Sequence, residues 1–330
     1  MIYSIQYMRA IAALLVVIHH AAWKGAQYSS DPLSWFNIGG VGVDLFFIIS
    51  GYIMCYTVQD KPIKVIRFLK ARVIRIIPLY WFLTTLALVI FIFIPEKVNS
   101  SGGNTNIIAS YLLLPSGDKY LIQNGWTLSY EFLFYVIFSL CLTVKYKYNY
   151  FVPVGLISLL VLLGNANLNI YGFDFFTNSL LFEFTFGILA FHISRYFSYS
   201  NLNGSFLIFF SILSFFCIDS LDFECSRVIS YGLPAFVFFL GMLQMEIFFK
   251  VNHSNIMFKS LKKIGDSSYS LYLFHPFSLV LFSLVFSYLG LNDYGVAFVS
   301  MLVLTSIITG HFCYLFLELN LAKVVRKLRN

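Results

Sequence analysis

The sequence predicts an all-α integral membrane protein with about ten transmembrane helices and both termini in the cytoplasm. Of its 330 residues, 59% are hydrophobic and 11% are charged, whereas soluble domains carry about 25% charged residues. Apolar stretches long enough to cross about 30 Å of hydrocarbon recur along the whole chain. Basic residues concentrate in every second connection between these stretches, which orients the chain in the membrane.

The apolar stretches alternate with short polar connections. They cover residues 5–24, 38–58, 76–95, 124–144, 149–164, 175–197, 204–219, 227–247, 267–290 and 295–318. The longest outer connection, about 96–123, is too short for a separate folded domain. We therefore expect one membrane domain over residues 1–330, with no appended soluble domain.

The positions of Lys and Arg orient the predicted helices. If the N-terminus is cytoplasmic, the outer connections contain Lys24, Lys97, Lys119 and Arg227, and the other basic residues lie inside, apart from Arg9 in the first stretch. Such an excess of positive charge is typical of cytoplasmic loops. Topology thus explains the net charge of +7. A nucleic-acid partner is not expected, because the basic residues do not cluster on one soluble face.

The first stretch contains the segment RAIAALLVVIHH at residues 9–20. In a helix, Arg9 and His20 lie on one face about 16 Å apart along the axis, and His19 points about 100° away from His20. A neutral histidine can act as a general base near physiological pH. His20 is therefore a candidate base within the membrane, and a structural histidine is the alternative.

Basic residues also precede the third stretch, in IRFLKARVIRIIPLYW at residues 66–81. Arg72 and Arg75 are neighbours on one helix face because they are three residues apart. Arginine side chains bind phosphate oxygens well, so this pair is a candidate clamp for a phosphorylated donor from the cytosol. Lipid-phosphate anchors are the alternative.

Four acidic residues lie within or at the end of apolar stretches: Asp44, Glu131, Glu183 and Glu318. A carboxylate at the centre of a span costs a few kcal/mol, so such residues usually face a polar interior and pair. Each acid alone is compatible with an ion pair to an intramembrane arginine. Together with His20, they suggest a hydrated reaction chamber.

Two further features indicate close packing and a cavity. Glycines in GGVGVDLFFIISGY, residues 39–52, permit close approach of helices. His275 lies inside the ninth stretch directly before Pro276, which removes a backbone hydrogen bond and is expected to bend the helix. His275 and Asp44 are thus candidate cavity residues, with a structural histidine as the alternative for His275.

These passages, taken in order, resemble the membrane acyltransferase 3 family. The resemblance rests on RAIAALLVVIHH, GGVGVDLFFIISGYI, ARVIRIIPLYW, GWTLSYEFLFY and SSYSLYLFHP, and it runs from about residue 5 to 320. The form GWTLSYEFLFY looks most like the branch that modifies bacterial exopolysaccharides and lipopolysaccharide O-antigens. Many relatives carry a fused periplasmic domain, which this sequence lacks, so we expect the chain to complete the transfer alone.

The resemblance assigns roles to individual residues. It implies that His20 is the catalytic histidine and that Arg9 is its functional partner. Glu131 matches the acid of the family's fourth-helix motif. Arg72 and Arg75 match a pair implicated in handling acyl-CoA, and His275 matches a frequent C-terminal histidine.

The expected function is O-acyl transfer in the bacterial inner membrane, most simply of acetyl from acetyl-CoA to a hydroxyl of a polysaccharide or a lipid-linked sugar. Acetyl-CoA is a co-substrate, and neither a metal nor a permanently bound cofactor is expected. Direct transfer and a covalent acyl-histidine both remain open. The alternatives are a transporter of polysaccharide or lipid-linked sugar and a non-catalytic subunit of a polysaccharide synthesis complex. The oligomeric state is left open.

Overall fold

The fold is built from helices. The computed structural model describes residues 2–28, 33, 36, 38–59, 63–98, 102–144, 150–164, 166, 172–220 and 225–327. Within these ranges it has no strand, apart from one isolated bridge between Thr105 and Lys119. This confirms the prediction of an all-α integral membrane protein.

Sixteen α-helices follow one another in the residues that the structure describes. The first eight are α1 (Tyr3–Ala26), α2 (Val41–Val58), α3 (Val65–Phe93), α4 (Pro95–Val98), α5 (Ile107–Leu112), α6 (Gly125–Cys141), α7 (Phe151–Gly164) and α8 (Phe173–Phe176). The second eight are α9 (Leu181–Ser194), α10 (Asn201–Ser220), α11 (Leu233–Gln244), α12 (Glu246–Val251), α13 (Ile256–Asp266), α14 (Ser268–Tyr288), α15 (Gly295–Cys313) and α16 (Leu319–Lys327). Single π-helical segments, Val228–Gly232 and Tyr314–Glu318, precede α11 and α16.

Every predicted apolar stretch coincides with a helix. Among the described residues, seven helical segments are long and apolar enough to cross a membrane, and Gly125–Cys141, Phe151–Gly164 and Val228–Gln244 are shorter apolar helices at the other three predicted positions. The count of ten spans and the cytoplasmic placement of both termini stay predictions.

The third helix is longer than the sequence predicted. It begins at Val65 rather than at 76, so Arg72 and Arg75 lie on α3 itself. Hydropathy marks where lipid contact ends, whereas Lys and Arg are good helix formers and let the backbone continue as a helix. The two arginines are thus held by a rigid element.

The chain forms two compact units, each assembled from distant parts of the sequence. Unit 1 comprises residues 1–12, 41–71 and 130–265, and unit 2 comprises residues 13–40, 72–129 and 266–330. Helix α1 therefore contributes to both. The single membrane domain expected over residues 1–330 stays a prediction.

In unit 1, helices α2 and α9 pack with their backbones in direct contact. A Cβ atom at Gly51 would collide with the carbonyl oxygen of Phe184, and one at Gly187 would collide with that of Ile48. Small residues allow this close approach between membrane helices. The glycine motif in the second stretch thus serves helix packing at Gly51, as the sequence suggested.

In unit 2, α14 and α15 pack against the second half of α1. The core of this contact contains Ala21, Leu279, Phe298, Val299 and Leu302, all of which are buried. Gly310 lets α15 approach the backbone of α14, because a Cβ there would lie 2.8 Å from the Cα of Leu271. This packing fixes the turn of α14 that carries His275 against the turn of α1 that carries His20.

The connection between α3 and α6 is ordered by hydrogen bonds within unit 2. Asn106 caps α5 by accepting a bond from the amide of Ala109 at 2.9 Å. The Tyr80 hydroxyl donates to the carbonyl of Ser110 at 2.6 Å, and the Trp81 indole donates to that of Tyr111 at 2.9 Å. The connection is therefore held against α3 as it leads into α6.

Candidate active site

The centre of the candidate site is a pair of histidines from α1 and α14. His20 Nδ1 lies 2.9 Å from His275 Nε2, and the two rings are nearly parallel, at 15°. His275 is fully buried, whereas His20 is partly exposed. The sequence named both residues without predicting that they touch.

The hydrogen-bond partners assign the tautomers of this pair. His275 Nδ1 lies 3.1 Å from the carbonyl oxygen of Leu271, and since a carbonyl can only accept, this nitrogen donates. In the neutral pair, His275 Nε2 therefore accepts the bond that His20 Nδ1 donates. His20 Nε2 is left with its lone pair, which is the state that a general base requires.

Pro276 creates the local geometry around His275. Its missing N–H leaves the carbonyl of Tyr272 without a helical partner, and the side chain of Asn124 donates to that carbonyl at 2.9 Å. The Tyr272 hydroxyl in turn lies 2.8 Å from the hydroxyl of Thr127. Helix α14 remains continuous through Pro276, and the side chain of Asn124, directly before α6, satisfies the carbonyl that proline leaves without a helical partner.

The histidine pair faces a cavity of about 560 Å³ within unit 2. Most of its wall is apolar and comes from α3, α14 and the segment 121–124. Its polar lining includes His20, His275, Lys24, Lys97, Gln123 and Asn124. His19 is not among the lining residues. Instead, its side chain packs against Gly39, where a Cβ atom would collide with it, so the two adjacent histidines face different surroundings, as predicted.

The arginines predicted for donor handling lie on helices. Arg72 is half-buried and Arg75 is exposed, both on α3 in unit 2. Arg9 lies on α1 in unit 1, and its Nη1 is 3.5 Å from the Gln6 side-chain oxygen. These placements leave the three predicted roles open.

Glu131 lies in unit 1 in a small polar cluster. Its Oε1 accepts bonds from the Ser50 hydroxyl at 3.1 Å and from the Tyr135 hydroxyl. Ser50 and Tyr135 belong to α2 and α6. Sequence reasoning identified Glu131 but not these two partners, because nothing in their spacing links them to it.

Asp44, predicted as a cavity residue, is not on the wall of the cavity around His20. It is fully buried in unit 1 and forms a two-bond ion pair with Arg227, with Nη2–Oδ2 at 2.7 Å and Nε–Oδ1 at 3.2 Å. Glu183 is also fully buried and interacts electrostatically with both. The sequence placed Arg227 in an outer connection, but its guanidinium reaches the buried carboxylate because a bidentate pair offsets the cost of burial.

The described residues contain no group of three or more His, Cys, Asp or Glu side chains that could hold a metal ion. The expected absence of a metal stays a prediction. What the site can do chemically follows from His20, since a neutral imidazole facing a cavity can accept a proton from a bound hydroxyl.

Comparisons with known proteins agree on one kind of chemistry. A family model described as an acyltransferase domain (Acyl_transf_3) matches residues 2–317. The exopolysaccharide production protein ExoZ of Rhizobium meliloti is 27% identical over 322 residues, covering 92% of this chain and 93% of that protein. The peptidoglycan O-acetyltransferase OatA of Listeria monocytogenes is 26% identical over 82% of this chain and 48% of its own length. No solved structure matches the chain significantly.

Proposed function

Because the chain belongs to the membrane acyltransferase 3 family, we propose that it moves an acetyl group from acetyl-CoA to a hydroxyl of a cell-surface polysaccharide sugar. Family membership makes it a membrane O-acyltransferase. The similarity to a protein named for exopolysaccharide production, over nearly the whole of both chains, supports an exopolysaccharide sugar as acceptor. The observation that carries the proposal is the hydrogen bond between His20 and His275 at the cavity wall.

In the proposed reaction, His20 is the general base. The sugar hydroxyl oxygen attacks the thioester carbonyl carbon of acetyl-CoA, and His20 Nε2 takes the hydroxyl proton as the new C–O bond forms. The tetrahedral intermediate then collapses, the C–S bond breaks, and His20 returns the proton to the departing thiolate. The products are an acetylated sugar and free CoA, and atoms and charges balance.

His275 acts in this scheme as a positioning residue. By accepting the hydrogen bond from His20 Nδ1, it holds the tautomer in which Nε2 is basic, and it stabilises the imidazolium that forms during the reaction. The Leu271 carbonyl orients His275 in the same way. Two consecutive hydrogen bonds, from His20 Nδ1 to His275 and from His275 Nδ1 to the Leu271 carbonyl, thus leave His20 Nε2 as the atom that accepts the proton of the sugar hydroxyl.

The donor is proposed to bind by the phosphates of CoA at Arg72 and Arg75, since arginine side chains suit phosphate oxygens. Arg9, on the same helix as His20, is proposed as a further partner of the donor, as the family pattern implies. Glu131 is proposed to act through the hydroxyls of Ser50 and Tyr135 that it binds. The positive-inside rule supports a donor that enters from the cytoplasmic side of the bacterial inner membrane.

The direct test is acetyl transfer by the purified protein in lipid nanodiscs, supplied with radiolabelled acetyl-CoA and a polysaccharide or lipid-linked saccharide acceptor. We expect label in the saccharide, and about 10²–10⁴-fold slower labelling with the His20→Ala variant. NMR of the cell's polysaccharide with and without the protein then identifies the sugar and the hydroxyl. Saccharide movement across the bilayer without acetylation would instead support a transporter.

A non-catalytic subunit is the other outcome to exclude. It would show no transfer when purified alone and would gain activity only with other proteins of a synthesis complex. Activity of the pure protein rules this out.

A further inference from the structure

Two lysines in the cavity have no role in the scheme above. Lys24 on α1 and Lys97 on α4 both line the cavity that contains His20, so two positively charged side chains share one cavity wall. The Lys24 ammonium donates to the Gln27 side chain at 3.0 Å and lies 5.5 Å from the Tyr28 ring centre. In the part of the chain that the structure describes, neither lysine forms an ion pair. Two like charges beside an apolar wall favour a bound anion.

The lysines lie at the opposite end of α3 from the arginines proposed for the donor. Arg72 and Arg75 are near the start of α3, and Lys97 follows directly after its end at Phe93. From Arg75 to Phe93 the helix rises by about 27 Å, close to the thickness of the hydrocarbon layer. Unit 2 therefore presents two cationic sites near opposite ends of α3, separated by about the thickness of the hydrocarbon layer.

The wall between the lysines and the histidine pair suits an apolar chain. It includes Ile90 of α3, Ile94 directly after α3, Leu121 and Ile122 of the connection into α6, and Phe277 of α14. The volume of about 560 Å³ falls within the range of about 300–1,000 Å³ that small-molecule sites occupy. A polymer of sugars alone would leave most of this apolar surface uncovered.

The spacing along α1 relates the cationic site to the base. Lys24 lies four residues after His20, which is one turn on the same face and about 6 Å along the axis. An anion held by Lys24 would therefore place the group attached to it beside His20. For a sugar phosphate, that group is the sugar ring with its hydroxyls.

We propose that this cavity binds the acceptor as a lipid-linked saccharide, with its phosphate at Lys24 and Lys97, its lipid chain on the apolar wall and its first sugars at His20. The proposal rests on the proposed function and adds that acetylation precedes release of the saccharide from its lipid carrier. CoA contains the same phosphate chemistry, so the test must distinguish the two sources.

The test is a binding measurement, independent of acetyl transfer. Farnesyl diphosphate, a short isoprenoid diphosphate, is titrated into the full chain in phosphatidylcholine nanodiscs by calorimetry, with empty nanodiscs subtracted. We expect saturable binding that weakens at least tenfold when Lys24→Gln and Lys97→Gln are combined, because charge-assisted hydrogen bonds to phosphate are lost. Lys24→Arg with Lys97→Arg should restore binding, since it keeps both charges.

Two controls separate this result from other effects. Lys259→Gln, at an exposed lysine of α13, should bind as the unmodified protein does. The His20→Ala variant should also bind farnesyl diphosphate normally while losing acetyl transfer. A failure of the binding proposal can therefore be told apart from a failure of the proposed reaction.

Three outcomes would overturn the proposal. One is undiminished binding to the double glutamine variant. Another is equally tight binding of inorganic diphosphate, which would mean that the apolar wall contributes nothing. The third is displacement of farnesyl diphosphate by CoA together with loss of CoA binding in the glutamine variant, which would assign the lysines to the donor.

Discussion

The histidine pair of unit 2 and the Asp44–Arg227 pair of unit 1 both place ionisable side chains among apolar helices, but they leave different atoms available. Asp44 is fully buried, and each of its carboxylate oxygens accepts a bond from Arg227. His20 has one nitrogen engaged by His275, and its side chain lines a cavity. A polar group that stabilises a fold has its bonds filled, whereas a group that performs chemistry keeps one position for the substrate.

The largest expected effect comes from substitution of His20, which keeps one ring nitrogen available for a substrate. His20→Ala should lower the rate of acetyl transfer by about 10²–10⁴-fold, the usual contribution of general acid–base catalysis. The matched control is His19→Ala, because His19 packs against Gly39 and does not line the cavity. Initial rates with labelled acetyl-CoA at equal protein in the membrane measure both. Equal activity of the two variants would remove His20 from the mechanism.

Substitution of Asp44, whose carboxylate is fully paired, should lower the stability of the protein instead. Asp44→Ala leaves Arg227 without its carboxylate partner, and breaking a buried pair costs about 3–5 kcal/mol. Since the Arg227 side chain is 38% exposed, we expect a smaller loss of unfolding free energy, about 2–3 kcal/mol. Thermal unfolding of the purified protein measures this, and Asp293→Ala, at an exposed aspartate, is the control. An unchanged unfolding temperature would show that the pair contributes no net stability.

His275 tests whether the second histidine works through the first. His275→Ala should reduce the rate by about 10–10²-fold, as loss of an orienting partner commonly does. His275→Gln should recover part of that loss, because its side-chain oxygen can accept from His20 Nδ1. The pH dependence of the rate should also move with His275→Ala but stay closer to the original with glutamine. A merely structural role would change the unfolding temperature without moving the pH profile.

The smallest effect concerns Arg72 and Arg75 of α3, which either bind the phosphates of the donor or stabilise the fold. Arg72→Ala combined with Arg75→Ala should raise the KM for acetyl-CoA about tenfold with little change in unfolding temperature, because phosphate contacts are lost. Arg67→Ala, at an exposed position of the same helix, is the control. A fall in unfolding temperature with unchanged KM would show that these arginines stabilise the fold, as Arg227 does, and do not bind the donor.

The sequence predicted helices well and pairings between them poorly. Hydropathy located the long apolar helices, because burial in lipid requires long apolar stretches, but it marked α3 only from residue 76, and charged residues extend that helix back to Val65. His20 and His275 are 255 positions apart, and Asp44 and Arg227 are 183 apart. Helical periodicity identifies a face, but it contains no information about which distant helix covers that face.

Lys24 and Lys97 also show that the sequence does not reveal which distant residues share a site. Lys24 and Lys97 were interpreted only as outer-side charges that orient the chain, and each is unremarkable in its own segment. Their shared position on one cavity wall arises from the packing of α1, α3 and α14. Glu131 could be named from its motif, but its partners Ser50 and Tyr135 emerged only from the fold.

The hydrogen bond from Asn124 to the carbonyl of Tyr272 links the wall of the cavity to the helix turn that carries His275. Asn124 belongs to the segment 121–124 that lines the cavity, and Tyr272 lies one turn before the histidine that orients His20. The side chain that supports the proline-containing turn of α14 is therefore itself part of the cavity surface.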